Sequence, residues 1–141
     1  MKTSKFYYDE YGHIQKCIPY PKKVDHTDMA TLPKIIAVDF DGTLVSDKFP
    51  DIGEKNSVVF CQVKGLQNMG WKVILWTCRC NDKNGDQLDE AVAYCNIHGL
   101  CFDAVNKNIP EVIEMFGGDT RKVYADKYLD DKNLGYYWGK E

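Results

Sequence analysis

The sequence lacks any long apolar run, any strong excess of one charge and any cysteine pair of the CxxC type. Its apolar stretches are far too short to cross a bilayer, and no positively charged, apolar secretory leader opens the chain. A formal net charge of -3 provides no general attraction to nucleic acid or to anionic membrane surfaces. We therefore expect a cytoplasmic protein that does not act on membranes.

The six cysteines are scattered along the chain. The spacing Cys95-x-x-His98-x-x-Cys101 comes closest to a metal-ligand cluster. Structural zinc sites usually combine two short chelating pairs, however, and Cys78-x-Cys80 is a poor second pair. Cys95 also continues the apolar stripe of a predicted helix, so we expect a small core residue there and reduced thiols throughout.

A chain of 141 residues with 44% hydrophobic and 28% charged residues is typical of one globular domain of ordinary size. Residues 1–33 are rich in tyrosine, proline and lysine without sustained periodicity, which predicts an irregular N-terminal arm with a hairpin around Gly12. Regular apolar periodicity begins at Lys34. Residues 34–141 are therefore predicted to form the core domain.

Short apolar runs and helical periodicities alternate within this core. The pattern predicts strands at Ile35–Val38, Trp71–Thr77, 101–106 and Lys122–Asp131, and helices at Ile52–Asn68, Asp86–His98 and Glu111–Phe116. Such alternation is typical of an α/β fold in which helices cover both faces of a parallel sheet. We expect a doubly wound parallel sheet.

Polar side chains follow three of the four predicted strands at the point where each strand ends. They are Asp39 and Asp41, Thr77 and Arg79, and Asp130 and Asp131. Because ligands of such sheets bind beyond the carboxyl ends of the strands, these side chains are expected to converge on one edge. Several adjacent carboxylates repel one another unless a cation offsets their charge, and hard oxygen ligands suit Mg²⁺.

The string DxDG also occurs in EF-hand calcium loops, but the spacing here excludes one. Counting from Asp39, the sixth position holds Leu44 instead of glycine and the twelfth holds Pro50 instead of glutamate. A polar loop without a ligand is the remaining alternative for this motif taken by itself.

Three motifs resemble signatures of the haloacid dehalogenase-like (HAD) phosphohydrolases. They are "DFDGTL" for the first signature, "VILWTCR" for the second and "KYLDD" for the fourth. The resemblance spans about residues 34–135 and is strongest to the small bacterial and phage hydrolases that lack a cap domain. Deoxyribonucleotidases and polynucleotide 3′-phosphatases are less similar. The resemblance implies a Rossmann-like core and phosphate-ester hydrolysis through an aspartyl-phosphate.

The resemblance also implies roles by position. Asp39 would be the nucleophile, and Asp41 the general acid that protonates the leaving group and then activates water. Thr77 would hydrogen-bond the transferring phosphoryl group. Asp130, helped by Asp131, would hold Mg²⁺ together with the Asp39 carboxylate and the Asp41 backbone carbonyl.

The residue types fit this chemistry on physical grounds. A carboxylate is a weak nucleophile toward an anionic phosphate, so cationic help from Mg²⁺ and a lysine is needed. An acid at Asp41 favours a phosphatase over a dehalogenase, because halide leaves without a proton whereas an ester oxygen benefits from one. The resemblance implies that this lysine is Lys122, which opens the fourth predicted strand, and Lys107 just beyond the third strand is the alternative.

Three further residues are predicted to bind the substrate phosphate. Gly42 and Thr43 follow the second carboxylate, and Gly42 permits a tight turn that brings backbone N–H groups toward the phosphate. Arg79 is expected to contact a phosphate bidentately. The alternative for Arg79 is a surface ion pair with Asp82 or Asp86.

The substrate is predicted only in outline. The short connections between elements leave no room for a cap, so an open site would accept a phosphorylated small molecule or a nucleic-acid end. The N-terminal arm would either border the opening or pack Tyr7, Tyr8, Tyr11 and Ile14 into the core. The aromatic tail at residues 136–138 would either stack on a base or pack on the sheet.

A second function class also stays open, namely a phosphate-binding or regulatory module without turnover. The paired carboxylates Asp39 and Asp41 favour the enzyme, because a pure binder has no need for a nucleophile and an acid side by side.

Overall fold

Two compact units make up the chain, Met1–Leu32 and Pro33–Glu141. The structure, a computed structural model, describes residues 6–8, 14–17 and 30–135. In the first unit, β1 (Phe6–Tyr8) and β2 (Ile14–Cys17) pair antiparallel, as expected for a hairpin around Gly12. The packing predicted for the arm concerns side chains that, like the aromatic tail at residues 136–138, lie outside the described part of the chain.

The second unit alternates strands and helices. Its strands are β3 (Ile35–Val38), β4 (Lys72–Leu75), β5 (Asn81–Asp82), β6 (Gly85–Asp86), β7 (Ala104–Val105) and β8 (Lys127–Leu129). Its helices are α1 (Ser57–Asn68), α2 (Gln87–Ile97) and α3 (Pro110–Phe116). Strands β7, β4, β3 and β8 lie side by side in this order and are all parallel. The predicted α/β class with a parallel sheet is confirmed.

The central strand β3 is buried on both of its faces. Successive strand residues point to opposite faces of a sheet. Ile36 and Val38 join one apolar cluster with Val63 of α1 and Cys95 of α2. Ile35, which has the opposite parity, is also completely buried. The burial predicted for Cys95 is confirmed, and it raises the pKa of this thiol to about 12.

Helix α1 begins at Ser57, whereas the apolar periodicity predicts a start at Ile52. The intervening residues turn back along the exit of β3, where the Ser46 N–H donates to the Glu54 carbonyl at 2.8 Å. Asn56 then caps the helix, and its side chain accepts a backbone N–H of the first turn at 3.2 Å. Asparagine is a favoured N-cap residue, so Asn56 was a signal in the sequence for a helix that begins at the next residue.

The predicted strand Lys122–Asp131 is shorter in the structure, because only β8 pairs with β3. Val123 and Tyr124 bond to side chains instead of to a neighbouring strand. The Tyr124 N–H donates to Asn108 Oδ1 at 2.6 Å, and the Tyr128 hydroxyl donates to the Val123 carbonyl at 2.6 Å. Apolar periodicity carries no information about such partners.

The other predicted elements agree in type and place. Strands β4 and β7 are shorter than predicted, and both ends of α2 and the start of α3 are shifted by one residue. The β5–β6 hairpin was not predicted, although Asn84-Gly85 at its tip is a strong turn signal. Among the described residues, no helix has both the length and the apolar character needed to span a bilayer.

Candidate metal centre

The register of the sheet brings two of the predicted carboxylates side by side. Val38 of β3 pairs with Leu129 of β8, and the Asp39 N–H continues the ladder by donating to the Leu129 carbonyl at 2.9 Å. Asp39 and Asp130 therefore leave neighbouring strands at the same level. This convergence was predicted from the strand ends.

Three carboxylates meet at this edge of the sheet. Oxygens of Asp39, Asp130 and Asp131 all lie within 4.8 Å of one another, and all three residues are partly buried. Burial and the charge of Asp130 raise the pKa of Asp39 from 3.8 to about 7, with Asp131 adding to the shift and the Phe40 N–H opposing it. The donor set consists of hard carboxylate oxygens, which fits Mg²⁺.

Thr43 lies between two of these carboxylates. Its hydroxyl oxygen is 3.3 Å from Asp39 Oδ2 and 3.4 Å from Asp131 Oδ1, and it accepts the Asp131 N–H at 3.0 Å. Thr43 is completely buried. The structure thus gives it a different position from the one expected of a substrate-binding residue, since its hydroxyl ties the two carboxylates together.

Gly42 occupies the turn after the second carboxylate with a φ of 85°, a conformation that favours glycine. Its Cα faces the carboxyl group of Asp131 closely enough that a Cβ atom built on residue 42 would lie 2.7 Å from Asp131 Cγ. The Gly42 N–H donates to the Val45 carbonyl at 2.8 Å, so this amide closes the turn, and the predicted approach of the turn's backbone N–H groups to a phosphate stays a prediction. The role that the structure gives Gly42 is to leave room for Asp131.

Asp41 lies apart from the three-carboxylate cluster and is paired with Arg79. Arg79 Nε and Nη2 each donate to one carboxylate oxygen of Asp41 at 2.7 Å. The Arg79 side chain is only 1% exposed, so this pair is buried and differs from both positions predicted for Arg79, the substrate phosphate and the surface. The buried pair fixes the orientation of the Asp41 carboxylate.

Thr77 is held by Asn106, a residue that no motif in the sequence indicates. The Thr77 N–H donates to Asn106 Oδ1 at 2.8 Å, and the Thr77 hydroxyl accepts the Arg79 N–H at 3.1 Å. Asn106 has a φ of 53°, a left-handed conformation that asparagine tolerates better than most residues. The sequence signal for Asn106 was its position at the end of the third predicted strand, at the same edge of the sheet as the carboxylates. Among the described residues the Thr77 hydroxyl hydrogen has no acceptor, so it is available to a ligand.

The two candidate lysines have different surroundings. Lys122 Nζ lies 5.1 Å from the centre of the Tyr128 ring, and Lys122 lines a groove of about 480 Å³ that also reaches Asp130. Lys107 is exposed and directly follows Asn106 at the carboxyl end of β7. Each position is compatible with the predicted role, and the assignment to Lys122 stays a prediction.

The fold and the site define an α/β protein with an acidic centre at the ends of two parallel strands. A solved structure of the conserved protein coded by a locus from Bacteroides thetaiotaomicron is similar to this chain, with 41% sequence identity and a TM-score of 0.63. The match covers 74% of this chain and 80% of that protein. The chain therefore belongs to the same family as that conserved protein. No protein-family model and no curated protein matches the sequence.

Proposed function

We propose that the chain is a Mg²⁺-dependent phosphohydrolase that cleaves phosphomonoesters through an aspartyl-phosphate on Asp39. The observation that carries the proposal is the meeting of Asp39, Asp130 and Asp131 within 4.8 Å at the carboxyl edge of the sheet. Carboxylates packed so closely repel one another, and a bound divalent cation offsets that repulsion. The motifs around them resemble those of the HAD phosphohydrolases.

The proposal includes a doubly wound core without a cap. Burial on both faces of β3 supports the first part, since sheets covered on both sides have strands of this kind. The second part is supported by the short connection between β3 and α1, residues 39–56. An open site of this kind suits a phosphorylated small molecule or a nucleic-acid end. The cytoplasmic location stays a prediction.

Asp39, Asp130 and Asp131 would hold Mg²⁺ through carboxylate oxygens, with the Asp41 carbonyl as a further ligand. When bound, the ion would neutralise negative charge on the phosphoryl oxygens, which is where phosphoryl transfer gains most. Thr43 keeps two of the carboxylates in register for this purpose, because its hydroxyl contacts both Asp39 and Asp131.

The reaction has two steps. An Asp39 oxygen attacks phosphorus while the bond from phosphorus to the ester oxygen breaks, and that oxygen leaves with the bonding electrons. It takes a proton from Asp41, and Asp41 must first take that proton up from water because both of its oxygens accept from Arg79. Water then attacks the phosphorus of the aspartyl-phosphate and returns a proton to Asp41, which releases inorganic phosphate and restores Asp39. Thr77 donates its free hydroxyl hydrogen to a phosphoryl oxygen in both steps. Lys122 or Lys107 supplies a positive charge to the same group.

The test is hydrolysis of 4-nitrophenyl phosphate with Mg²⁺ and with an excess of chelator. We expect turnover that depends on Mg²⁺ and that Asp39→Asn abolishes, because an amide of the same shape cannot attack phosphorus. Asp89→Asn, which changes an exposed aspartate of α2, is the matched control and should retain activity. Turnover that survives the chelator would contradict the metal assignment. Binding of inorganic phosphate without any turnover would instead favour the non-catalytic phosphate-binding module.

A further inference from the structure

Arg79 joins Asp41 to the loop of residues 46–55, which we call the 46–55 loop. Besides its two bonds to Asp41, the guanidinium donates from Nη2 to the Asp51 carbonyl at 2.8 Å and from Nη1 to the Pro50 carbonyl at 3.1 Å. A weaker contact runs from Nη1 to the Gln87 carbonyl at 3.5 Å. All five N–H donors of this buried cation therefore have acceptors inside the protein. A single side chain holds both the proposed acid and the loop.

The 46–55 loop is also fixed from within. The Glu54 N–H donates to Ser46 Oγ at 2.8 Å, and the Ser46 N–H returns a bond to the Glu54 carbonyl. A Cβ atom on Gly53 would lie 2.7 Å from the carbonyl carbon of Ser46, so the two loop arms are in close contact. These contacts, together with the bonds from Arg79, hold the tip of the loop in one position.

Phe49 at this tip is a large apolar side chain that remains 57% exposed. Its ring centre lies 5.2 Å from the Arg79 guanidinium carbon, and the fully buried Phe40 ring lies 4.9 Å from the same atom. The contact with Arg79 is a cation–π interaction that orients the Phe49 ring. Phe49 thus presents an aromatic surface to solvent beside Arg79.

This aromatic surface lies next to the proposed chemistry. Asp41 and Phe49 contact the same guanidinium, and the Asp41 side chain is 18% exposed, which leaves it accessible to a ligand. In the proposed reaction the leaving oxygen must come within hydrogen-bonding distance of Asp41. A leaving group bound there would lie near Phe49, which contacts the same guanidinium as Asp41.

We propose that Phe49 is a specificity-determining residue that packs against the leaving group, and that the substrates are phosphomonoesters of aromatic or other planar apolar groups. The inference rests on the proposed function, since it uses Asp41 as the proton donor. An exposed aromatic side chain held beside the acid favours a ring in the leaving group, because aromatic pairs gain from both burial and ring geometry. A contact of this kind strengthens binding of the substrate roughly three- to tenfold.

The test compares naphthyl phosphate with ethyl phosphate, which carry the same phosphate on a ring and on a short alkyl group. In Phe49→Ala we expect the ratio of kcat/KM for the naphthyl ester over the ethyl ester to fall roughly three- to tenfold. Ile97→Ala, which truncates another exposed apolar side chain (82% exposed) on α2, should leave the ratio unchanged. An unchanged ratio in Phe49→Ala would overturn the inference. The ratio is used because a general loss of structure lowers kcat/KM for both substrates alike and leaves their ratio unchanged.

A binding measurement separates this inference from the proposed function. In the Asp39→Asn background, which blocks turnover, naphthyl phosphate is titrated in the presence of Mg²⁺ and its fluorescence is followed. Adding Phe49→Ala should weaken its binding by the same three- to tenfold. Equal affinity with and without Phe49 overturns the inference even if hydrolysis is observed. If the wild-type protein cleaves neither ester, the proposed function fails, and this titration alone then decides the role of Phe49.

Discussion

Gly42 lies directly against the carboxyl group of Asp131, with no space between them for a side chain. A Cβ atom on residue 42 would be 2.7 Å from Asp131 Cγ and 3.0 Å from Oδ1. The turn after β3 and the segment after β8 are therefore fitted to each other at the acidic centre. The absence of a side chain at position 42 is what allows Asp131 to approach Asp39.

Gly42→Ala should weaken Mg²⁺ binding by about tenfold or more, as is common when a group that supports a metal ligand is disturbed. The new methyl group has to displace the Asp131 carboxylate. Calorimetric titration with Mg²⁺ measures the effect.

Gly99→Ala is the matched control, because Gly99 has a φ of 84° and no atom within 4 Å of an added Cβ. Each alanine carries the cost of a left-handed conformation, about 1 kcal/mol in the free energy of unfolding. Only the variant at Gly42 should lose metal affinity. Equal Mg²⁺ affinity in the two variants would show that the contact with Asp131 is unimportant.

Thr43→Val should lower the free energy of unfolding by about 1–3 kcal/mol, because it leaves the Asp131 N–H without its acceptor. Valine has nearly the same shape as threonine, so packing of this completely buried residue changes little. Chemical denaturation with chelator present measures the loss.

Thr43→Ser keeps the hydroxyl and should retain both the Mg²⁺ affinity and most of the stability. If the valine variant is as stable as the serine variant and the wild type, the bond from the Asp131 N–H to the Thr43 hydroxyl contributes little to stability.

The acidic centre was predictable from the sequence because it depends on strand ends. A buried strand followed at once by Asp39, and another followed by Asp130, must place both carboxylates at one edge if the strands are parallel neighbours. That inference needs only the type and order of the elements. The pairing of β3 with β8 then sets the register of the two strands, in which Val38 pairs with Leu129.

The partner of Asp41 was not predictable in the same way. Arg79 was expected either at a phosphate or at the surface, and neither periodicity nor spacing indicates that the 46–55 loop turns back to cover it. Its burial depends on carbonyl groups of Pro50 and Asp51, and backbone acceptors leave no signature in the sequence. Asn106 was missed because its role depends on a left-handed backbone conformation at the end of β7.

The metal-free protein should lose stability as the pH rises from the acid range to neutrality. Burial and the charge of Asp130 raise the pKa of Asp39 from 3.8 to about 7. Between these values the folded state binds a proton that the unfolded state has released, so the free energy of unfolding falls as the pH increases. Thermal unfolding with chelator at several pH values across this window measures the decline.

Asp39→Asn should show a smaller decline over the same window and should unfold at a higher temperature than the wild type at pH values above about 7, the raised pKa. Mg²⁺ should stabilise the wild type increasingly over this window, because it binds the ionised carboxylates. A wild-type unfolding temperature that rises with pH in chelator would contradict the repulsion among Asp39, Asp130 and Asp131.

The two lysines are separated by single substitutions. Lys122→Ala should lower turnover of 4-nitrophenyl phosphate on the order of a hundredfold, as expected for the loss of one charge donor at the phosphoryl group. Lys107→Ala should then have a small effect. The opposite result would transfer the role to Lys107, whose position after Asn106 also places it at the carboxyl edge of the sheet.

The most direct test of the proposed chemistry is to trap the covalent intermediate. The protein is mixed with Mg²⁺ and an aryl phosphate, quenched in acid within one turnover, digested and analysed by mass spectrometry. We predict that the peptide containing Asp39 gains the mass of one phosphoryl group, and that neither Asp39→Asn nor the chelator-treated protein shows this gain. Rapid Mg²⁺-dependent hydrolysis by an Asp39→Asn protein, or a phosphoryl group on a different residue, would contradict the assignment of Asp39 as the nucleophile.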